Sequence, residues 1–268
     1  MERDTGSLPT HRARLASVLR AAKEVVSVSI ASQTLGIERR AAAKLLSRWK
    51  QQGWLQRIGQ GLYVFVPLDL AGSEQLIADP WVLVPTLFNQ GYIGGWTAAH
   101  HWELTEQLFN ETLVFTTRRV TNKRVIAQSA VFLLHNVAPI RLFGLKTLWR
   151  GSVKVSISDP ARTLVDMIAA PEVGGGIEHV ADGLSAYLKT KTANRDLLIR
   201  YAGEFNNGII FKRLGYLAET QVHDDKLAAA CRSRLTQGYA RLDPTLPPEK
   251  LVTAWRLWLP SARKLTAS

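Results

Sequence analysis

The chain has 268 residues, 46% of them hydrophobic, with eight Trp and eight Phe, so it holds enough apolar material for two cores and is not a disordered polymer. Its longest apolar runs, such as WVLVP at 81–85, are far too short to span a bilayer, and its N-terminus, MERDTGSLPTHRAR, lacks the apolar stretch of a secretory signal. A single cysteine, Cys231, excludes a disulfide framework and a cysteine-based metal site, and together these features lead us to expect a cytoplasmic protein. The net charge of +12 is uneven: residues 1–68 carry eleven Lys/Arg against four Asp/Glu, and residues 69–268 carry twenty-three against eighteen. A small basic segment of this kind is the electrostatic footprint of a nucleic-acid binder.

The first predicted helix spans about 9–25, with Leu15, Val18, Leu19 and Ala22 at helical spacing and Thr10 or Ser7 available as its cap. A second helix is predicted from Ser29 to Leu35, ended by Gly36 in the left-handed turn that helix C-termini favour. The third, about 38–52, is stopped by Gly53. At 100° per residue, Ala42, Leu45, Leu46 and Trp49 fall on its buried side, while Arg40, Lys44, Ser47 and Gln51 occupy the opposite side with Arg39 and Arg48 flanking. WLQRI (54–58) and LYVFV (62–66) alternate as half-buried strands joined by Gly59-Gln60-Gly61, a hairpin signal.

Helix, turn, basic helix and hairpin in this order predict a winged helix-turn-helix over residues 1–68. Arg40 and Lys44, near the start of the recognition helix, are the first candidates for base edges, and Ser47 and Gln51 can also read them. Arg39 and Arg48 suit phosphates, which fix register without carrying sequence information, and Arg57 and Gln60 sit where a wing meets backbone or minor groove. Glu38 stands where Ser or Thr usually caps such a helix; its carboxylate suits the helix dipole but repels nearby phosphate.

Pro67 and LDLAGSEQ (68–75) read as a connector. Beyond it, WVLVPTLF (81–88) is predicted helical or buried, and a helix is predicted from about Trp96 to Leu104. Strands are predicted at 112–117, 123–127, 130–136, 139–143 and 152–157. SDPARTLVDMI (158–168) is predicted as a helix capped by Asp159, with Pro160 at its first position and Asp166 on a solvated face. Further helices are predicted near 176–189, 193–204, 208–218, 221–233 and 247–258. The fold class is therefore α+β: the winged helix-turn-helix, then a larger mixed α/β domain (69–268) with an antiparallel or mixed sheet and a helical C-terminal part. No acid occurs between Glu111 and Asp159, a window holding Arg118, Arg119, Lys123, Arg124, Arg141, Lys146, Arg150 and Lys154. On strands these would line one edge or face as a second positive surface.

Three segments, LLSRWKQQGWLQRIGQGLYVFVPLD (45–69), YIGGWTAAHHWELTEQLFNETLVFTT (92–117) and ISDPARTLVDMI (157–168), make the chain resemble the AbiEi-type antitoxins of abortive-infection (type IV) toxin–antitoxin systems, over about residues 10–190. The middle segment carries most specificity, since winged helices occur in many families. Glu103 departs from the pattern, where a small residue is more usual. The resemblance implies a winged helix joined to an antitoxin domain. It implies repression of the protein's own operon, through double-stranded promoter DNA with inverted repeats. It also implies phage defence by countering a nucleotidyltransferase-like toxin, with which the family does not typically form a stable complex. Arg118, Arg119, Lys123 and Arg124 are the candidate antitoxin surface.

No constellation in the sequence supports catalysis, a metal or a cofactor. His100 and His101 are neighbours that point about 100° apart on a helix, Asp224 and Asp225 are adjacent rather than convergent, and Gly174-Gly175-Gly176 lacks a Walker lysine and reads as a flexible loop. Cys231 reads as a small buried residue. The competing reading is a stand-alone winged-helix regulator with a ligand-sensing C-terminal domain, its pocket lined around Trp81, Trp96 and Trp102. A third, a restriction-like nuclease, would need clustered acids that the basic window lacks.

Overall fold

The computed structural model describes residues 10–22, 25–66, 79–88, 90–120, 122–127 and 130–261. The N-terminal part begins with α1 (Thr10–Ala22), β1 (Val26–Ser27) and α2 (Val28–Leu35). It continues with α3 (Arg39–Gln51), β2 (Leu55–Gly59) and β3 (Leu62–Phe65). Helix α1 is shorter than expected: Val25 lies outside it and is followed by the unforeseen β1, which pairs antiparallel with β3 to complete a sheet ordered β1-β3-β2. Thr10 is the first helical residue rather than a cap, and Ser7 lies outside the described residues. Val18, Ala31, Ala42, Leu46 and Trp49 are fully buried at the centre of this core.

The second part is built on a six-stranded mixed sheet ordered β6-β7-β5-β4-β9-β8. Its strands are β4 (Gly91–Ile93), β5 (Glu111–Thr116), β6 (Arg124–Ala127), β7 (Ala130–Asn136), β8 (Leu145–Arg150) and β9 (Val153–Ser158). The β5–β7 and β4–β9 pairs are parallel and the rest antiparallel. Two short helices lie in the same region, α4 (Val84–Leu87) after a 3-10 turn at Pro80–Leu83, and α5 (Gly95–His101). One sheet face buries Ile93, Val114, Phe132, Val155 and Ile157 against Leu83, Val84 and Phe88, and Val25 and Val64 of the winged helix join this same core. The winged helix thus covers apolar surface of the second part rather than hanging from it.

Five helices follow: α6 (Pro160–Ala169), α7 (Ile177–Lys189), α8 (Arg195–Glu204), α9 (Ile209–Leu217) and α10 (Asp225–Arg232). The chain ends in a small sheet of β10 (Ala240–Arg241), β11 (Pro248–Val252) and β12 (Leu257–Pro260), ordered β10-β12-β11. This sheet replaces the helix expected at 247–258. Leu251, Val252 and Trp255 have helical spacing, but the chain turns at Thr253–Arg256, where Arg256 takes a left-handed φ of +54°, and Leu257 and Trp258 pair back on Val252 and Leu251. The expected strand at 139–143 is also absent. Pro139–Arg141 forms a 3-10 turn, because Pro139 lacks the N–H a ladder needs, and the strand starts at Leu145 instead.

Helix α6 carries the largest departure from the reading of single residues. Asp159 caps it as expected, accepting from the Arg162 N–H at 2.8 Å. Asp166 is not on a solvated face but fully enclosed. Arg162, also fully enclosed, donates to Asp166 from Nε (3.1 Å) and Nη2 (2.9 Å), to the Tyr92 hydroxyl (3.0 Å), and to the carbonyls of Arg141 (2.9 Å) and Phe143 (3.2 Å). The rings of Phe143 and Phe205 lie 4.1 and 5.0 Å from its guanidinium carbon. Burial pushes the Asp166 carboxyl above the usual carboxylate range, and the Arg162 charge and hydrogen bonds pull against that rise. The network ties α6 to β4 and to the loop before β8.

Candidate nucleic-acid interface

The turn between α2 and α3 is built from three residues. Gly36 takes the left-handed conformation (φ 62°, ψ 31°), and its N–H bonds the Ser32 carbonyl. The Ile37 N–H also reaches Ser32 O at 3.1 Å, and Ser32 Oγ donates to Ile37 O at 2.6 Å. Helix α2 is capped by Ser27, whose Oγ accepts from the Ile30 N–H at 3.1 Å. Glu38 occupies the cap of α3 without a side-chain cap bond and is exposed.

Ala42, Leu46 and Trp49 hold α3 against the core, with Leu45 half-buried beside them. Arg39, Arg40, Lys44, Ser47, Arg48 and Gln51 are all exposed, as is Lys50, which the helical-face argument had left out. Lys50 lies about 20° from Arg39 around the helix axis, and that spacing is the sequence signal that points to it. Among the described residues none of the ion pairs involves an α3 side chain. No described carboxylate therefore competes with an external anion for these cations.

The β2–β3 hairpin places Arg57 opposite Tyr63, with a bulge between Arg57 and Gly59, and leaves Arg57 and Gln60 exposed. Gly61, at φ +71°, lets its carbonyl accept from the Val28 N–H at 3.1 Å, which locks the hairpin tip to the start of α2. Helix α3 and the hairpin are thus fixed to one another through α2.

The basic window of the second part does not form one surface. Arg118 and Arg119 follow β5, and Lys123 and Arg124 lead into β6, at one edge of the sheet; all four are exposed, and Arg124 is ion-paired to Glu111 at 3.2 Å. Lys146 and Arg150 lie on β8 at the opposite edge with Lys154 on its neighbour β9, and they pack over Trp102, Trp81 and Trp149 respectively. Arg141, in the 3-10 turn, lies over Phe205.

The other singled-out residues have structural surroundings. His101 is edge-on to Trp81 and Trp102, at 5.4 and 4.6 Å between ring centres, and burial holds its imidazole below the ordinary histidine range. Among the described residues no three His, Cys, Asp or Glu side chains are grouped to hold a metal. Gly174 is no flexible loop: a Cβ there would come within 2.7 Å of Val180, so the glycine permits tight packing before α7. The first amide of α7, that of Ile177, is taken by the Asp243 carboxylate at 3.1 Å. The three tryptophans do not share one pocket: Trp81 and Trp102 both meet His101, whereas Trp96 stacks on Phe109. Glu103 takes φ +58°, a left-handed conformation that a small residue, above all glycine, adopts more readily.

The order α1-β1-α2-α3-β2-β3 and the exposed basic α3 define the winged helix-turn-helix class. Residues 13–66 match the family model described as transcriptional regulator, AbiEi antitoxin, so the resemblance to that family holds over the winged helix. The segments 92–117 and 157–168 lie outside the matched residues. No curated protein is significantly similar to the chain. Among solved structures, the crystal structure of the RV2827C protein from Mycobacterium tuberculosis has a TM-score of 0.60 at 16% identity, covering 94% of this chain and 92% of that one. The likeness is one of fold, and it extends through both parts of the chain. Among the described residues no helix is long and apolar enough to cross a membrane.

Proposed function

We propose that the protein is a DNA-binding transcriptional autorepressor that also serves as an antitoxin, countering a nucleotidyltransferase-like toxin encoded in the same operon. In this reading residues 1–68 form the DNA-binding domain and residues 69–268 the antitoxin domain, and both act in the cytoplasm. The observation that carries the reading is the exposed, acid-free face of α3, whose cations have no ion-pair partner among the described residues. Arg40 and Lys44 read base edges, Ser47 and Gln51 add polar contacts, and Arg39, Arg48, Arg57 and Gln60 fix the register on inverted repeats of the promoter. Arg118, Arg119, Lys123 and Arg124 form the antitoxin surface.

The two roles separate by substitution in the full chain. Truncation is the poorer test, because it removes Val25 and Val64 from the core they share with the second part. Arg40→Glu with Lys44→Glu abolishes repression of a reporter behind the native promoter and leaves growth rescue of toxin-expressing cells intact. Loss of rescue in that variant, or retained repression, contradicts the division of roles.

A further inference from the structure

Where β5 runs out toward β6, the chain leaves a cavity of about 240 Å³ with an apolar floor of Leu87, Phe88, Val125 and Leu134 and with Arg118 and Arg119 at its rim. Phe88 is buried and braced by Phe132, 5.3 Å away between ring centres, so the floor is preformed. Neither arginine has an ion-pair partner among the described residues, and Glu111, the nearest acid before the acid-free window, is already taken by Arg124.

We propose that this cavity docks an acidic segment of a partner protein, which inserts one aliphatic or aromatic side chain while its carboxylates meet Arg118 and Arg119. The inference rests on the reading of this edge as the antitoxin surface, and it names what that surface recognises. The cavity is smaller than the about 300 to 1,000 Å³ common for small-molecule sites, and it has room for a Leu or Phe side chain over the half-buried Leu87, Val125 and Leu134. Charge and floor together decide against nucleic acid, because a phosphate backbone would satisfy the arginines and leave the apolar lining, Val120 included, unused. Guanidinium forks match carboxylates in pairs, and an aromatic anchor seated in a desolvated pocket is a usual form of interface hot spot.

The test uses the full chain and a fluorescein-labelled peptide of Asp and Glu carrying one central Phe, followed by anisotropy. The expected result is that the peptide binds at least about tenfold more tightly than its Phe→Ser counterpart and that Arg118→Glu with Arg119→Glu removes the binding. Both arginines are exposed, so the variant keeps its thermal midpoint and its promoter binding. Equal affinity for the Ser peptide overturns the proposal, as does a variant that loses duplex DNA while leaving peptide binding unchanged. Growth rescue separates this inference from its parent reading. Lost rescue without any peptide binding sinks the docking site and spares the antitoxin surface, whereas peptide binding with unimpaired rescue in the variant supports the docking site and sinks that surface.

Discussion

Helices α3 and α6 both carry arginines, in opposite circumstances. On α3, Arg39, Arg40 and Arg48 stand in solvent with no ion pair among the described residues. On α6, Arg162 is fully enclosed, spends its donors on Asp166, Tyr92 and two carbonyls, and lies against aromatic rings. Arg213 of α9 is used the same way, donating to the carbonyls of Ile168, Ala169 and Arg241 and so closing the C-terminal end of α6. A count of positive charge treats all of these alike. What separates them is desolvation: the buried group is already partnered and holds the fold, and only the exposed group can neutralise a phosphate and so release the cations condensed on a polyanion.

The comparison fails if substitutions in the two places have similar consequences. The largest expected effect is on stability. Asp166→Ala leaves Arg162 buried without its carboxylate and lowers the unfolding free energy by about 3–5 kcal/mol, measured by urea denaturation. Arg40→Ala and Lys44→Ala change stability by no more than about 0.5 kcal/mol, yet each weakens binding to the native promoter by about 1–3 kcal/mol and relaxes sequence preference. Arg39→Gln and Arg48→Gln weaken all duplexes alike, and each lowers the slope of log affinity against log salt by about 1.

The smallest effect concerns Cys231. Burial pushes its thiol up to about 12, so the native protein stays unlabelled by a thiol reagent at mildly alkaline pH and reacts once unfolded. The folded thiol titrates above the unfolded one at about 8.5. This group's contribution to stability is therefore complete below that value and is lost as pH rises toward the folded value. Rapid labelling of the native protein would place Cys231 outside the core.

The winged helix was legible because its signals are local. Gly36 ends α2, Ala42, Leu46 and Trp49 repeat at helical spacing, and Gly61 turns the hairpin, all within a few residues of what they determine. The two-residue β1 escaped, since its strand character comes from pairing with β3 far along the chain, and the ends of α1 were misplaced. The second part was legible wherever a helix carried its own cap, as with Asp159 before α6 and Asn194 before α8. It was not legible where distant partners decide. Asp166 looks like a surface carboxylate until Tyr92, 74 residues earlier, closes over it, although its i, i+4 spacing from Arg162 was a usable hint. The strands β11 and β12 depend on the turn at Thr253–Arg256, which helical spacing conceals. Of the candidate site, most of the α3 face was readable by angle, with Lys50 missed, whereas the division of the basic window between two sheet edges required the strand order.

The most direct test of the central claim is a titration of the native promoter duplex with the wild-type full chain and with Arg40→Ala combined with Lys44→Ala, at fixed salt and followed by anisotropy. The account predicts a loss of at least about tenfold in affinity for the double variant at an unchanged thermal midpoint. Equal affinity for the two proteins would contradict it.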